Sequence, residues 1–343
     1  MEEFTISVEE LQQKVRAIFL KAGLDGGQAE ELSKVIVASE RDACKSHGIY
    51  RIQGVLRSIK AGKVAMTAVP KLVGDTDNAI VRVDAKGGFA NPAFALGLPH
   101  LVERARRFGL AALVINDCVH LTALWPEVEA ITDEGLAALI MCPSYATVAP
   151  AGGTHPLLGT NPLAFGWPRN DRNPYVFDFA TSIAARGEIE LHQLNGKQLP
   201  VGWALDSNGA PTTDPAAALK GAMLPFGGHK GSAIATMIEL MAGIMIGDLT
   251  SEEALAALGT TALAPRHGEL VLAFSPKMFS ATRTGDPFER AELFFDRFVG
   301  QGARLPSQRR YMARALAEED GISLTVDECE LLSRYESDGL AAV

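Results

Sequence analysis

The chain has 343 residues, 47% of them hydrophobic and 21% charged, and a net charge of −9. That length holds one large core or two domains, and the composition is that of a folded globule, not a disordered chain. The acidic balance excludes a general binder of nucleic acid or of anionic membranes, so an anionic ligand must be held by local basic groups.

The opening MEEFTISVEE lacks the charged-then-apolar layout of a secretory signal, and a cytoplasmic protein is expected. Ser7 and Glu10 form a capping-box pair ahead of Leu11, Val15, Ile18 and Phe19 at helical spacing, and Gly23 closes that helix. Leu32, Val35 and Ile36 predict a second helix; Ile49, Ile52, Leu56 and Ile59 predict a third, with the turn KSHG between them. From about residue 76 the texture becomes strand-like: AIVRVDA, LAALVIND, GLAALIMC, PLAFGW, YVFDFA and, later, ELVLAF (269–274). Helical stretches are interleaved, one from near Pro92 to Gly109 and one from Gly227-Gly228 to about Ile246. The latter contains the most apolar run of the chain, which is too short for a bilayer and carries Glu239. Near the C-terminal end, Asp286-Pro287 and the pair Thr325/Glu328 start further helices. The expected organisation is α+β. A discontinuous helical domain (1–75 with 285–343) would enclose a β-rich region (76–284) that binds cofactor and substrate. Cys44, Cys118, Cys142 and Cys329 are scattered without a metal-ligand spacing, so free thiols and no metal site are expected.

The glycine fingerprint of dinucleotide-binding βαβ units is absent, as are a phosphate loop, HExxH and a nucleophile elbow. Five constellations remain. In RDACKSHGIYR, His47 falls at a turn beside Ser46, and Arg51 follows four residues on; if the turn feeds the helix directly, the two share a face. Arg51 would grip a carboxylate while His47 exchanges a proton with the adjacent reacting centre. The same spacing equally describes a capped helix start with a surface histidine. In FDFATSIAARGEIELHQ, Asp178, Arg186, Glu188 and His192 form a polar group after a strand; one carboxylate would orient His47, or the group is a salt-bridged loop. In LPFGGHKGSAIATM, His229 and Lys230 open a helix after a glycine pair, which suits an anion site or simply a tight entry turn. In ARLPSQRRYMAR, Arg304, Arg309, Arg310 and Arg314 would clasp the 2′-phosphate of NADP, or would form a solvated face paired with Glu318 and Glu319. In NDCVHLTALWPE, His120 and Thr122 sit at a strand end, where ligand loops are common and structural histidines commoner.

SHGIYR, HLTALW, LLGTNPLAF, FDFATS…ARGEIE, GGHKGSAIATMIELMAGI and RLPSQRR occur in that order along most of the chain. Together they resemble the malate/L-lactate dehydrogenase family that is unrelated to Rossmann-type dehydrogenases. The resemblance implies a non-Rossmann NAD(P)-binding domain with a largely antiparallel sheet, a helical layer formed by both chain ends, and a homodimer. Hydroxy-acid members carry Asn-His-(Phe or Tyr)-Gly where this chain has His120-Leu121-Thr122, so the resemblance is to the cyclic-imine-acid reductases of the family. It implies NADPH-dependent reduction of Δ1-piperideine-2-carboxylate to L-pipecolate and of Δ1-pyrroline-2-carboxylate to L-proline. The alternative is an NAD(P)-dependent 2-hydroxy acid dehydrogenase of the malate, lactate, ureidoglycolate or diketogulonate type. The resemblance carries Ser46, His47 and Glu188 onto a proton relay, Glu188 standing where the reductases have Asp, and carries Arg51 and Thr160 onto substrate contacts. It assigns four segments to the cofactor: His120, Leu121, Thr122, Ala123 and Leu124; Asp178, Phe179 and Ala180; His229 and Lys230; and Arg304, Leu305, Pro306, Ser307, Gln308, Arg309 and Arg310.

Overall fold

The computed structural model describes residues 3–74 and 77–343; the expected domain boundary at residues 75 and 76 lies outside the described residues. Local signals account for the helices at both ends. Ser7 caps α1 (Val8–Lys21) by accepting the Glu10 N–H, while the Glu10 carboxylate takes the Ser7 N–H. Gly23 follows with φ 99°, a conformation that favours glycine. Asp25 caps α2 (Gly26–Arg41), and a short 3₁₀ segment (Lys45–His47) leads into α3 (Tyr50–Lys60). The first strand, β1 (Glu3–Ile6), pairs antiparallel with the last, β12 (Ile322–Thr325), whose Thr325 starts the final helix α13 (Val326–Asp338) with a second capping box. Leu11, Val15 and Phe19 of α1 therefore share a core with Ile36 of α2, Ile52 of α3 and Tyr335 of α13.

The apolar runs between the ends form one seven-stranded sheet. In chain order its strands are β2 (Lys71–Leu72), β3 (Ile80–Asp84), β4 (Leu110–Val119), β5 (Ala137–Met141), β6 (Leu163–Trp167), β7 (Tyr175–Phe179) and β11 (Arg266–Phe274). Their spatial order is β2-β3-β4-β11-β5-β6-β7. Within it β3 and β4 run parallel and every other neighbouring pair runs antiparallel. The central strands read as unbroken apolar runs because both their faces are covered. On one face Leu113, Ile115, Ile140 and Val271 pack under α4 (Ala90–Phe108) and α5 (Trp125–Thr132). On the other, Val114, Met141 and Leu270 meet Ile238 and Ala242.

A smaller unit hangs from the end of β7. It contains α6 (Arg186–Leu194), α7 (Pro215–Lys220) and three short strands, β8 (Ala204–Leu205), β9 (Pro211–Thr212) and β10 (Ala222–Met223), with β8 in the middle. The helix expected from Gly228 to Ile246 begins as α8 (His229–Ile238) and then widens into a π segment (Glu239–Ile244). Buried Glu239 accounts for the widening: its carboxylate accepts from Asn161 Nδ2 at 2.7 Å and from the Ser251 N–H at 2.9 Å, tying the turn to α9 (Ser251–Leu258). After the short α10 (Pro276–Phe279), α11 (Pro287–Val299) lies on the outer strands, Phe295 stacking on Tyr175 at 5.3 Å. Last before β12 comes α12 (Gln308–Asp320), aligned beside α2. Among the described residues no helix is long and apolar enough to cross a membrane.

Candidate active site

Where the helical layer meets the sheet there is a cavity of about 790 Å³, within the ~300–1,000 Å³ usual for ligand sites. Its walls come from α3 and the turn before it, the segment after β4, the end of β7, and α6. The turn and helix place His47 and Arg51 together as their spacing predicts: Arg51 Nη2 lies 3.4 Å from His47 Nε2. A guanidinium only donates, so Nε2 is the acceptor and the ring hydrogen sits on Nδ1, which meets Ser46 Oγ at 3.0 Å. Burial first, then the charge of Arg51, then His120, lower the His47 pKa from 6.5 to about 3. His47 is thus a neutral imidazole whose Nε2 lone pair is turned to Arg51. Arg51 forms no ion pair among the described residues, and its Nε is buried without a hydrogen-bond partner. A cation left unpaired in a cavity is a site prepared for an anion. Thr160 also lines the cavity, its carbonyl taken by the N–H and hydroxyl of Thr181.

Two of the segments assigned to the cofactor line the same cavity. His120, Leu121, Thr122, Ala123 and Leu124 line the cavity, as do Asp178, Phe179 and Ala180. Asp178 binds them to one another: its Oδ2 accepts the Leu124 N–H at 2.9 Å and the Trp125 N–H at 3.0 Å, capping α5 from 54 and 53 positions away in sequence. Burial raises the Asp178 pKa to about 6 against those two hydrogen bonds and the charge of Arg310. Thr122 accepts from Asn91 Nδ2 at 3.2 Å.

The other two segments are exposed or lie just outside this wall. His229 and Lys230 are exposed at the start of α8. They connect to the wall through Phe226, whose ring meets that of Phe179 edge-on at 5.7 Å. Gly231 has a steric reason to be glycine: a Cβ there would stand 2.4 Å from the Phe226 carbonyl oxygen. The segment Arg304–Arg310 is fastened beside Asp178 by Ser307, whose hydroxyl donates to the Val176 carbonyl at 2.6 Å. Leu305 is buried, Pro306 and Gln308 are half-buried, and Arg304 and Arg309 are exposed. Arg310 is not a free clasp. Its guanidinium stacks on Trp125 at 3.9 Å and pairs with Glu129 at 2.6 Å and Asp42 at 3.3 Å; Arg314 joins the same two acids. The expected pairing of this helix face with Glu318 and Glu319 is replaced by partners from α2 and α5.

Glu188 is exposed on the outer side of α6, and among the described residues its side chain makes no hydrogen bond to His47. The acid that α6 turns toward the cavity is Glu190, which accepts the Tyr50 hydroxyl at 2.5 Å and stands 3.5 Å from Arg186 Nε. Tyr145 was not singled out from the sequence, whereas Arg186 was, as part of the polar group after β7. Tyr145 donates to the Thr261 carbonyl at 3.1 Å, and Arg186 to the Thr261 hydroxyl at 2.9 Å. The spacing Arg186, Glu190, Gln193 marks one face of α6 as the cavity face and was the available signal. The four cysteines are unpaired, Cys118 and Cys142 buried and Cys44 and Cys329 half-buried.

A non-Rossmann sheet under a helical layer, with an imidazole and an unpaired guanidinium in one cavity, is the frame of a dehydrogenase. The chain belongs to the malate/L-lactate dehydrogenase family, whose model matches residues 6–333. It is 66% identical, over 99% of its length and 98% of the relative's, to a Δ1-pyrroline-2-carboxylate reductase of Agrobacterium fabrum. It is 51% identical, over 93% of its length and 95% of the relative's, to a Δ1-pyrroline-2-carboxylate/Δ1-piperideine-2-carboxylate reductase of Pseudomonas aeruginosa. The crystal structure of Δ1-piperideine-2-carboxylate reductase from Pseudomonas syringae superposes with a TM-score of 0.92 at 40% identity, covering 97% of this chain and 99% of that one. Malate dehydrogenase of Entamoeba histolytica, 22% identical with a TM-score of 0.87 over 98% of both chains, shares the fold. Membership makes the chain an oxidoreductase that works with a nicotinamide cofactor.

Proposed function

We propose that this cavity reduces the C=N bond of cyclic imine acids, Δ1-pyrroline-2-carboxylate to L-proline and Δ1-piperideine-2-carboxylate to L-pipecolate, with NADPH. The observation that carries the proposal is the unpaired Arg51 guanidinium beside a neutral His47. The names of the relatives at 66% and 51% identity support the same substrates. His120–Leu124 and Asp178–Ala180 would hold the cofactor, since both segments line the cavity that also contains His47 and Arg51. Bound NADPH would supply a hydride to C2 of the substrate. Arg51 grips the carboxylate in its fork and fixes the ring in the cavity. The substrate enters as an iminium and brings its own proton; its carboxylate draws the Arg51 guanidinium off His47, and the Nε2 so released accepts the iminium N–H and steadies that charge. The amine product then needs no proton from the protein. A keto acid does need one, and His47 must first be protonated; the bound carboxylate helps by offsetting the Arg51 charge that depresses it.

Ser46 holds the His47 tautomer; Glu188 would join this relay only after a rotation of α6. Exposed Arg304 and Arg309 are the groups we assign to the 2′-phosphate of NADPH. A homodimer is part of the proposal, supported by the exposed apolar side chains Phe294, Met312 and Leu316 on α11 and α12. A neutral imidazole is also a ready base for a hydroxyl proton, which favours a 2-hydroxy acid dehydrogenase as the second reading. Initial rates with Δ1-piperideine-2-carboxylate, pyruvate and oxaloacetate, each with NADPH and NADH, separate the two. Fast turnover of the imine with NADPH is expected; turnover of only the keto acids would overturn the proposal.

A further inference from the structure

Behind the wall formed by His120, two carboxyl groups are shut into the core. Glu127 projects from the first turn of α5 and Glu269 from β11, and the two are 3% and 0% exposed. One ring nitrogen of His120, itself 4% exposed, and one oxygen of each carboxyl lie within 4.8 Å of one another. His120 Nε2 and all four carboxyl oxygens are buried without a hydrogen-bond partner. The titratable groups around the cluster are Asp178 from β7, Cys118 from β4, Cys142 after β5, and His267, whose ring lies 6.0 Å from that of His120. Among the described residues no lysine or arginine pairs with either carboxyl.

Two ionised carboxylates in such a place lack both a countercharge and a donor, and each would cost several kcal/mol. One proton between them removes a charge and supplies the missing hydrogen bond in a single step. We propose that Glu127 and Glu269 share one proton, and that this pair positions His120 at the cavity wall by accepting a ring N–H, so that the other ring nitrogen faces the cavity as an acceptor. The electrostatics agree: burial, then the neighbouring carboxylate, raises Glu127, burial raises Glu269, and burial, then His267 and Arg51, hold His120 near 3 and therefore neutral. The pair touches neither substrate nor cofactor in this arrangement; it acts through His120. The kinetic part of the inference rests on reading the cavity as the cofactor site, and the protonation part does not.

Infrared difference spectra of the full chain at pH 8 test the shared proton. Wild type is expected to show a protonated-carboxyl C=O band that shifts in D₂O and disappears in both Glu127→Gln and Glu269→Gln. No band, or a band that survives both substitutions, overturns the proposal; so does about one equivalent of tightly bound divalent metal per chain by elemental analysis, since a cation would then replace the proton. For positioning, Glu269→Leu is expected to raise the KM for NADPH about tenfold, the worth of one hydrogen bond, with a smaller change in kcat. Glu269→Gln is expected to recover most of that loss. Equal KM in wild type and Glu269→Leu would remove the positioning role, whereas a melting temperature lowered without any KM change would show a purely structural pair. If wild type binds no NADPH while the band is present, the cofactor reading has failed and the shared proton stands.

Discussion

Replacing Arg51 by methionine should separate binding from stability in opposite directions. In the structure this guanidinium has a buried Nε with no partner, and its contact with the protein is a 3.4 Å approach to His47 and a distant one, 5.8 Å, to the Tyr50 ring. It therefore carries a desolvation cost that the unliganded protein does not recover, and methionine of similar length should leave the melting temperature unchanged or raise it. Substrate binding should collapse. Truncating one partner of a buried, hydrogen-bonded charge pair costs about 2–5 kcal/mol, so KM for the cyclic imine acid should rise between about 30-fold and a few thousand-fold. The cofactor KM should move little, because no cofactor-segment residue hydrogen-bonds to Arg51 among the described residues. Steady-state kinetics in both ligands together with thermal melts read all three quantities. A substrate KM within about threefold of wild type would refute the carboxylate anchor, and a large fall in melting temperature would show that Arg51 is structural.

His47→Asn should reduce turnover of a keto acid by about 10²–10⁴-fold and that of a cyclic imine by less, because the iminium arrives protonated; equal losses on both would contradict the neutral-histidine account. Asp42→Ala leaves Arg310 and Arg314 to share Glu129 as their one remaining acid, since the Asp42 side chain is fully buried between them, and should cost about 3–5 kcal/mol in chemical denaturation. The NADPH/NADH preference of the folded variant should stay the same, whereas Arg304→Ala with Arg309→Ala should erode it; the converse result would return the phosphate clasp to Arg310. Acid should destabilise the protein through its histidines. His47 and His120 are held near 3 in the fold against 6.5 in the unfolded chain, so their contribution is present above pH 6.5 and is lost as pH falls toward 3. Each adds a slope of up to about 1.4 kcal/mol per pH unit. Glu127 and Glu269, both raised, act oppositely: their contribution is present at low pH and lost as pH rises through their folded values. Urea midpoints of His47→Asn should therefore fall less steeply below pH 6.5 than those of wild type; identical acid limbs would mean that His47 is protonated in the fold.

What the sequence made legible was local. The Ser7–Glu10 and Thr325–Glu328 caps, the strands from AIVRVDA to ELVLAF and the shared face of His47 and Arg51 depend on residues a few positions apart, and all are found in the structure. What needed the fold was rotation and distant partnership. Residues on a helix advance 100° each, so Glu188 and Glu190 point to opposite sides of α6, and only the contact of Glu190 with Tyr50 settles which side faces the cavity. Arg310 looked free because its acids, Asp42 and Glu129, stand 268 and 181 positions away. Asp178 was visible as a polar residue after a strand, but its task of capping α5 depends on how the sheet edge meets that helix. The paired Glu127 and Glu269 were invisible for the same reason: one belongs to a helix and the other to the sheet's central strand, and each alone resembles an ordinary surface acid in the sequence.

The Arg310 clamp also has a temporal consequence. During synthesis His47 and Arg51 leave the ribosome early, followed by the Asp178 segment, yet among the described residues Asp42 has only Arg41, and Glu129 no cation, to pair with until α12 has emerged. A nascent chain therefore holds nearly every residue of the cavity in an unfinished state. Proteolytic trimming through α12 would return the mature enzyme to that state while leaving His47, Arg51 and Asp178 in the chain. Low activity before completion and loss of activity after a distant cut are the outcomes expected of one buried ion cluster, and chains truncated before α12 would be assayed for both.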